Sequence, residues 1–499
     1  MPVFLPIHID IVQDNNRDRW KGGTSEVLGM KGCPNKDWLI YNSQMKGDID
    51  VVPWMTVITF LITLVFILWR PKGMNEAIPA SVGAVIIILI GSVSITDLRM
   101  IIETISGAAI TIMATIVMAI VLESFGFFHW TAEKLAERAK GSGIRLFWYV
   151  NLLCFLMTLF FNNDGSILIT TPILVMLLNN MGLKNHQKIP YLMSGALIAT
   201  ASSAPIGVSN IVNLISLKIV DMDLYLQTAM MFVPATLGLI LLTCLLFLRF
   251  KKVLPKKVPE QVKGLTLPSY HPLKLSPMTY DSEKDRSRFM RNVLLFVLSV
   301  RVSLFVASYL GISVPLMAVI GSCILLAWRW AYLKIPPKDM LKKTPWYIIV
   351  FAFGMYVIIY GLNNMGLSDL LIEFMQPMVS GSLLHTSVLM GVLLLVMSNI
   401  FNNHPALMIG TFTLMNMNLD HLSLKIAYLA NVIGSDMGSL LLPIGTLATL
   451  MWMHIVRKGK VMITWKEYMK TTALVIPPAT LFTLVVLYYW VSWLFGGAL

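Results

Sequence analysis

FFNNDGSILITTP (Phe160–Pro172) and IFNNHPALMIGTF (Ile400–Phe412) are the two stretches that decide how this chain folds. Each sets an Asn-Asn pair, a titratable side chain and a helix breaker inside an apolar segment. Asn162 and Asn402 are 240 positions apart, as are Gly126 and Gly366 upstream. Polar backbone at membrane depth survives only where protein or a water-filled cavity satisfies it. Interrupted hydrophobic segments at corresponding places in two halves point to a solute-binding site.

The surrounding chain fits that reading. Its 499 residues are 56% hydrophobic and 13% charged, with a mean hydropathy of +0.73. Soluble domains carry about 25% charged residues, so this is an all-α, multi-pass protein of the cell membrane, with the lipid bilayer as its partner. The formal charge of +13 does not call for nucleic acid, because Lys and Arg fall in the short loops between apolar runs. Cys33, Cys154, Cys244 and Cys323 show no CxxC or His spacing and read as packing residues, neither disulfide nor metal site. Residues 1–50 form a polar extension without a signal-peptide pattern. The first apolar run, near Val51, reads as an uncleaved anchor.

A bilayer-crossing helix needs about 20 apolar residues. Unbroken spans are expected near 52–69, 77–95, 106–124, 226–248, 290–308, 314–331, 346–362 and 470–495. The runs 146–178 and 383–415 break at their Asn pairs. Those at 190–218 and 424–456 break around the shared Pro-Ile-Gly of Pro205 and Pro443. Segments 125–145, 181–190, 249–291, 329–345 and 457–470 are basic, whereas 219–225 and 363–382 hold no Lys or Arg. The charges sort only if 146–178 is a hairpin that enters and leaves on the cytoplasmic side and 383–415 is its counterpart from outside. The chain then divides into the 1–50 extension, a first repeat (51–250), a cytoplasmic linker (251–288) and a second repeat (289–499). Each half has three spans, a re-entrant hairpin, a broken span and a final span, and the halves form an inverted-topology repeat. The stretches 128–140 and 367–377 are amphipathic and suit the two membrane interfaces.

The hairpin tips are the first candidate site. Asn162, Asn163, Asn402 and Asn403 offer amide donors and acceptors, and half-helices that start there point free N–H groups at a cavity. The Pro-Ile-Gly breaks come next, because Pro frees a carbonyl and Gly lets the chain open. Ser202, Ser203, Ser209 and Asn210, with Ser435, Asp436, Ser439 and Thr446, are expected to face the same cavity as the tips. Among ionisable residues, Asp164 and Asp436 sit at breaks and suit a proton or cation site. His404 occupies the position equivalent to Asp164. Arg301 is expected either in a structural ion pair with an acid or in a substrate-related role, and Glu123 in a solvated or interfacial position. No P-loop, HExxH, GxSxG or zinc spacing occurs, so no catalytic, metal or cofactor site is expected and the chain does not read as an enzyme.

At these residues the sequence resembles the arsenical pump membrane proteins, within a wider ion-transporter superfamily that includes sodium/proton antiporters and dicarboxylate carriers. FNNDGSILITTPI, ATASSAPIGVSNIVNLIS, NNHPALMIG and ANVIGSDMGSLLLPIGTLATLMW carry the likeness, which extends over roughly residues 50–495. It implies export of arsenite or antimonite by exchange with protons, sometimes energised by a separate ATPase subunit. Asn162, Asn163, Asp164, Ser209, Asn210, Asn402, Asn403, Asn431 and Asp436 match the family's motif. Where many members have Gly-Cys-Asp-Leu-Gly-Pro-Lys, this chain has Gly434-Ser435-Asp436-Met437-Gly438-Ser439-Leu440. Both the Cys, a natural soft ligand, and the Lys are replaced. The alternative is a sodium/proton antiporter or a sodium-coupled anion carrier of the same superfamily, with a small inorganic ion in place of arsenite or antimonite. A channel or receptor has no need of inverted halves.

The charge map makes a direct prediction. Single cysteines placed in 363–382 should label from outside and those in 181–190 from inside; labelling of both from one side would overturn the map.

Overall fold

The computed structural model describes residues 51–259, 283–379 and 381–495. The 1–50 extension and most of the linker lie outside the described residues. The elements described are all helices, with no strand among the described residues. In the first half, α1 is Val51–Trp69, α2 Ala77–Ile90, α3 Ile95–Ser124, α4 Phe127–Ala139, α5 Gly143–Phe160, α6 Asn163–Asn180, α7 Asn185–Ala201, α8 Ile211–Ile219 and α9 Leu224–Phe250. In the second, α10 is Glu283–Tyr309, α11 Val314–Leu333, α12 Lys338–Lys343, α13 Tyr347–Asn364, α14 Leu367–Val379, α15 Leu383–Phe401, α16 Asn403–Met415, α17 His421–Asp436, α18 Leu447–Lys458 and α19 Trp465–Phe495. Apart from the short α12, the two halves run through the same order of elements.

Nine described helices are long and apolar enough to cross a membrane. They are seven of the eight expected unbroken spans and the first arms of both hairpins, α5 and α15. The exception, α2, has 14 residues and is about 21 Å long. Several boundaries differ from expectation, two of them most. α3 begins at Ile95 because Ser94 and Asp97 form a reciprocal capping box, which carries the polar stretch before residue 106 into the helix. α10 begins at Glu283, so the last residues assigned to the linker are helical.

Packing pairs elements across the halves. α2 lies on α13 and α3 on α11; α6 lies on α18 and α8 on α16; α9 lies on its own counterpart α19. Exchanging the halves maps these pairings onto one another. Within each half the hairpin arms pack on each other, α5 on α6 and α15 on α16. α15 also lies close against α17. A Cβ on Gly434 would meet the Gly391 carbonyl, with Leu394 Cβ at 2.8 Å. Glycine there lets α17 approach two residues before Asp436.

The charged residues are partly structural. Arg329 is buried, bonded by both ends of its fork to Asp339 (3.1 and 2.8 Å) and to the Ser124 hydroxyl (2.9 Å). It therefore ties α11 and α12 to the end of α3. On α4, Glu133 meets Arg286 of α10 at 3.0 Å and His129 at 3.4 Å. Burial pushes the Glu133 carboxyl up, but bonds and charge from His129 and Arg286 overcome this and hold it below its ordinary value. α4 turns its apolar residues into the protein, whereas α14 leaves Leu370 and Phe374 exposed. Exposed Trp69, Trp330, Trp346 and Trp465 gather at helix ends beside the basic loops, the usual place of an interfacial aromatic belt.

Candidate functional site

The first tip is a tight cap. α5 ends at Phe160, Asn162 is extended (φ −161°, ψ 165°), and α6 starts at Asn163. Asn162 Oδ1 accepts from the Gly165 N–H at 3.2 Å, and Asn163 Oδ1 accepts from the Asp164 N–H at 2.8 Å. A Cβ on Gly165 would collide with Asn162 Oδ1, so glycine lets the cap close. Arg301, reaching from α10, donates to the carbonyls of Phe160 and Phe161. The expected acid partner is not what it meets: its charge lies against the carbonyl end of α5, where a helix dipole favours a cation.

The second tip is built differently. Asn402 adopts φ 73°, ψ 154°, a region used almost only by glycine and costing on the order of 1–3 kcal/mol for other residues. Its Nδ2 donates to the Ile444 carbonyl at 3.1 Å, inside the Pro-Ile-Gly break. The side chain therefore ties the strained tip to the unwound segment beside it.

Both breaks are held open by side chains that take up their freed backbone groups. In the first, Gln227 of α9 accepts from the Gly207 N–H at 3.0 Å and donates to the Ala204 carbonyl at 3.5 Å. In the second, Asn399 donates to Leu395 O (2.7 Å) and Gly438 O (2.9 Å) and accepts from Leu442 N at 2.7 Å. Tyr468 and Thr472 of α19 donate to the carbonyls of Leu440 and Leu441, at 3.0 and 2.7 Å.

At the end of α17, Asp436 is 1% exposed. Its carboxylate accepts from Ser203 Oγ at 2.7 Å, Asn213 Nδ2 at 2.7 Å and Asn210 Nδ2 at 3.2 Å. All three donors come from the first half. Ser435 Oγ, one residue earlier, donates to the Asn403 carbonyl at 3.4 Å, which joins this end of α17 to the second tip.

A cavity of about 200 Å³ lies between the two tips. Asp164 and His404 both line it, with Glu76, Lys343, Tyr347 and Phe351. The His404 ring stands 5.6 Å from that of Phe351. The cavity thus joins the two positions the sequence marks as equivalent. It does not take in the break residues expected to share it. Ser202, Ser203, Ser209, Asn210, Ser435, Asp436, Ser439 and Thr446 are buried and line none of it. Most are committed elsewhere: Ser202 to Ile198 O at 2.5 Å and Thr446 to Thr449 N at 2.9 Å, while Ser203, Asn210 and Asp436 are used on one another; Ser209 and Ser439 are buried with no partner for their hydroxyls.

Some buried polar atoms have no protein partner. They include Asn402 Oδ1, Asn403 Oδ1, both side-chain polar atoms of Asn431, Asn213 Oδ1 and Ser209 Oγ. Amide groups of this kind can hold a polar neutral solute or a cation. Among the described residues no group of three or more His, Cys, Asp and Glu could hold a metal ion. Glu123 is fully buried, not solvated. Asn213 and Asn399 were not singled out from the sequence. Asn213 lies three residues after Asn210 and so shares its helix face, a signal that was there to read; nothing local marks Asn399.

Comparison with known proteins places the fold. The family described as arsenical pump membrane protein matches residues 55–491. A Bacillus subtilis (strain 168) protein that carries an arsenical pump name is 61% identical over 442 residues, covering 88% of this chain and 100% of the relative. An arsenical pump membrane protein of Escherichia coli is 31% identical over 429 residues, covering 86% of this chain and 96% of the relative. Among solved structures, the YdaH transporter of Alcanivorax borkumensis, described as having an unusual topology, aligns with a TM-score of 0.52. That match covers 80% of this chain and 90% of that one at 12% identity, so it speaks for the fold alone.

The second tip makes a stability prediction. Asn402→Ala loses the bond to Ile444 but keeps the strain, whereas Asn402→Gly loses the bond and relieves it. Thermal unfolding in detergent should find the alanine variant less stable than the glycine variant by about 1–3 kcal/mol; equal stabilities would show that the tip is not strained.

Proposed function

Because the chain belongs to the arsenical pump membrane protein family, we propose that it exports arsenite or antimonite in exchange for protons, with Asp164 and Asp436 as the coupling carboxylates. The observation that carries this reading is the shared cavity: both tips end in one space, with Asp164 on one side and His404 on the other. Arsenous acid is largely neutral and polar at neutral pH. The amides of Asn402, Asn403 and Asn431, each with a polar atom that has no protein partner, can bind such a solute without a net charge. Ser435 stands where many family members have Cys, so oxygen and nitrogen groups replace the soft sulfur ligand.

Direction follows from the loop charges. Glu76 and Lys343, which line the cavity, belong to loops on the basic, cytoplasmic side. The cavity then opens inward, where a toxic solute is collected. The second half lies inverted relative to the first. The hairpins and broken spans form the moving core, the unbroken spans its frame, and exchange of conformation between the halves gives alternating access. Protons drive the cycle through this chain, and a separate ATPase subunit, where one is present, adds energy that a chain without a P-loop cannot supply.

A second reading, sodium coupling, is favoured by one observation. The unpartnered oxygens of Asn402, Asn403 and Asn431 are hard donors that suit an alkali cation. Everted membrane vesicles separate the two. A pH gradient should drive arsenite accumulation, and Asp164→Asn should lower it by about tenfold or more, as for loss of an intramembrane functional carboxylate. Sodium-driven pH recovery with no arsenite uptake would transfer the assignment to the second reading.

A further inference from the structure

We propose that Ser203 is a positioning residue that lets Asp436 gain and lose a proton without movement of any heavy atom. The inference rests on the proton exchange proposed above. It begins with the different ways in which the three groups around Asp436 are bonded.

Asn210 is fixed. Its Oδ1 accepts from the Val212 N–H at 3.2 Å, so its amide NH₂ faces Asp436 Oδ1, also at 3.2 Å. The bond from Val212 settles which way the amide points. Asn213 donates to Asp436 Oδ2 at 2.7 Å. Ser203 is the group with a choice. Its Oγ lies 2.7 Å from Asp436 Oδ2 and 2.8 Å from the Thr200 carbonyl. A serine hydroxyl has one hydrogen and two acceptor lone pairs, so it can donate to only one of the two at a time.

That choice matches the two states of the carboxyl group. When Asp436 is ionised, the Ser203 hydroxyl points at Oδ2. When a proton binds Oδ2, the new O–H donates to Ser203 Oγ, and the Ser203 hydrogen rotates to the Thr200 carbonyl. The amides of Asn210 and Asn213 donate in both states. Every donor of the cage keeps an acceptor in both states, so neither state leaves a buried hydrogen without a partner, which is the costly outcome. A cage of fixed donors would hold the ionised form alone, because an acid proton would find nothing to accept it. Solvent supplies the proton that forms the Oδ2–H bond and receives it when that bond breaks. Ser203 keeps its own hydrogen throughout.

The neighbouring titratable groups are accounted for. Asp164 in the first tip and Tyr428 on α17 both interact electrostatically with Asp436. The Tyr428 hydroxyl is committed to the Asn213 carbonyl at 3.0 Å, and Tyr468 of α19 to the Leu440 carbonyl. His404 of α16 lines the cavity. Among these, Ser203 is the group that bonds the carboxylate and has a second acceptor for its hydrogen.

The test is an infrared pH titration of the purified full-length protein, followed at the carbonyl stretch of neutral carboxylic acids. Wild type, Ser203→Ala, Ser203→Thr and Asp436→Asn are compared. The expected result is a wild-type band that Asp436→Asn removes. Ser203→Ala should move its midpoint by about one pH unit or more, and Ser203→Thr, which restores the hydroxyl, should return it. The pH profile of arsenite flux in everted vesicles should follow the same pattern. If Ser203→Ala titrates at the wild-type midpoint, the switch is wrong while proton exchange through Asp436 stands. If wild type shows no band that Asp436→Asn removes, proton carriage at Asp436 fails, and the role of Ser203 fails with it.

Discussion

The hydrogen bonds that Ser203, Asn210 and Asn213 give to Asp436 join the two halves of the chain at their broken spans. A carboxylate with 1% exposure loses its hydration, which costs several kcal/mol in a protein interior. Hydrogen bonds to charged groups are worth about 1.5–3 kcal/mol each, so three of them offset a penalty of that size. The donors reach Asp436 only because both spans have unwound, and unwinding frees backbone groups that need partners of their own. Gln227 takes them up in the first break; Asn399, Tyr468 and Thr472 do so in the second. The close approach of α17 to α15 at Gly434 then sets the depth at which the carboxylate stands.

The two halves correspond in the order and pairing of their elements more closely than in their side chains. Asn162 is a relaxed extended cap, whereas Asn402 is strained and tied to the neighbouring break. The first tip is steadied by Arg301, whose charge meets the carbonyl end of α5. The second is steadied through Asn402 and Ser435. Asp164 and His404 arrive in one cavity from opposite hairpins, yet one side chain ionises by losing a proton and the other by gaining one. The same backbone plan therefore presents two chemistries to the same space.

Much of this was legible in the sequence, and the reasons are local. Apolar run length gave the spans, and an Asn pair inside such a run marked each hairpin tip. Pro205 and Pro443 marked the breaks, because a proline's missing N–H acts on its own helix. What escaped depends on neighbours distant in the chain. Asn213 lies 223 residues from Asp436, and Asn399 lies 43 from the Leu442 N–H that it binds. Arg301, expected either to pair with an acid or to take a substrate-related role, meets carbonyls, which carry no signal in a sequence. Glu123 was expected in a solvated or interfacial position because it ends a span, but it is fully buried at the end of α3, which packs against α4 and α12. The break residues were expected around the cavity, but they are buried away from it, with Ser203, Asn210 and Asp436 bonded to one another.

The central claim is that solute and proton move in exchange through this one polypeptide. It is tested most directly in proteoliposomes loaded with arsenite and a pH-sensitive dye, with the membrane potential clamped. On dilution into arsenite-free medium of equal pH, the account predicts that the lumen acidifies as arsenite leaves, without sodium and without ATP. Arsenite efflux with no change in luminal pH would contradict it.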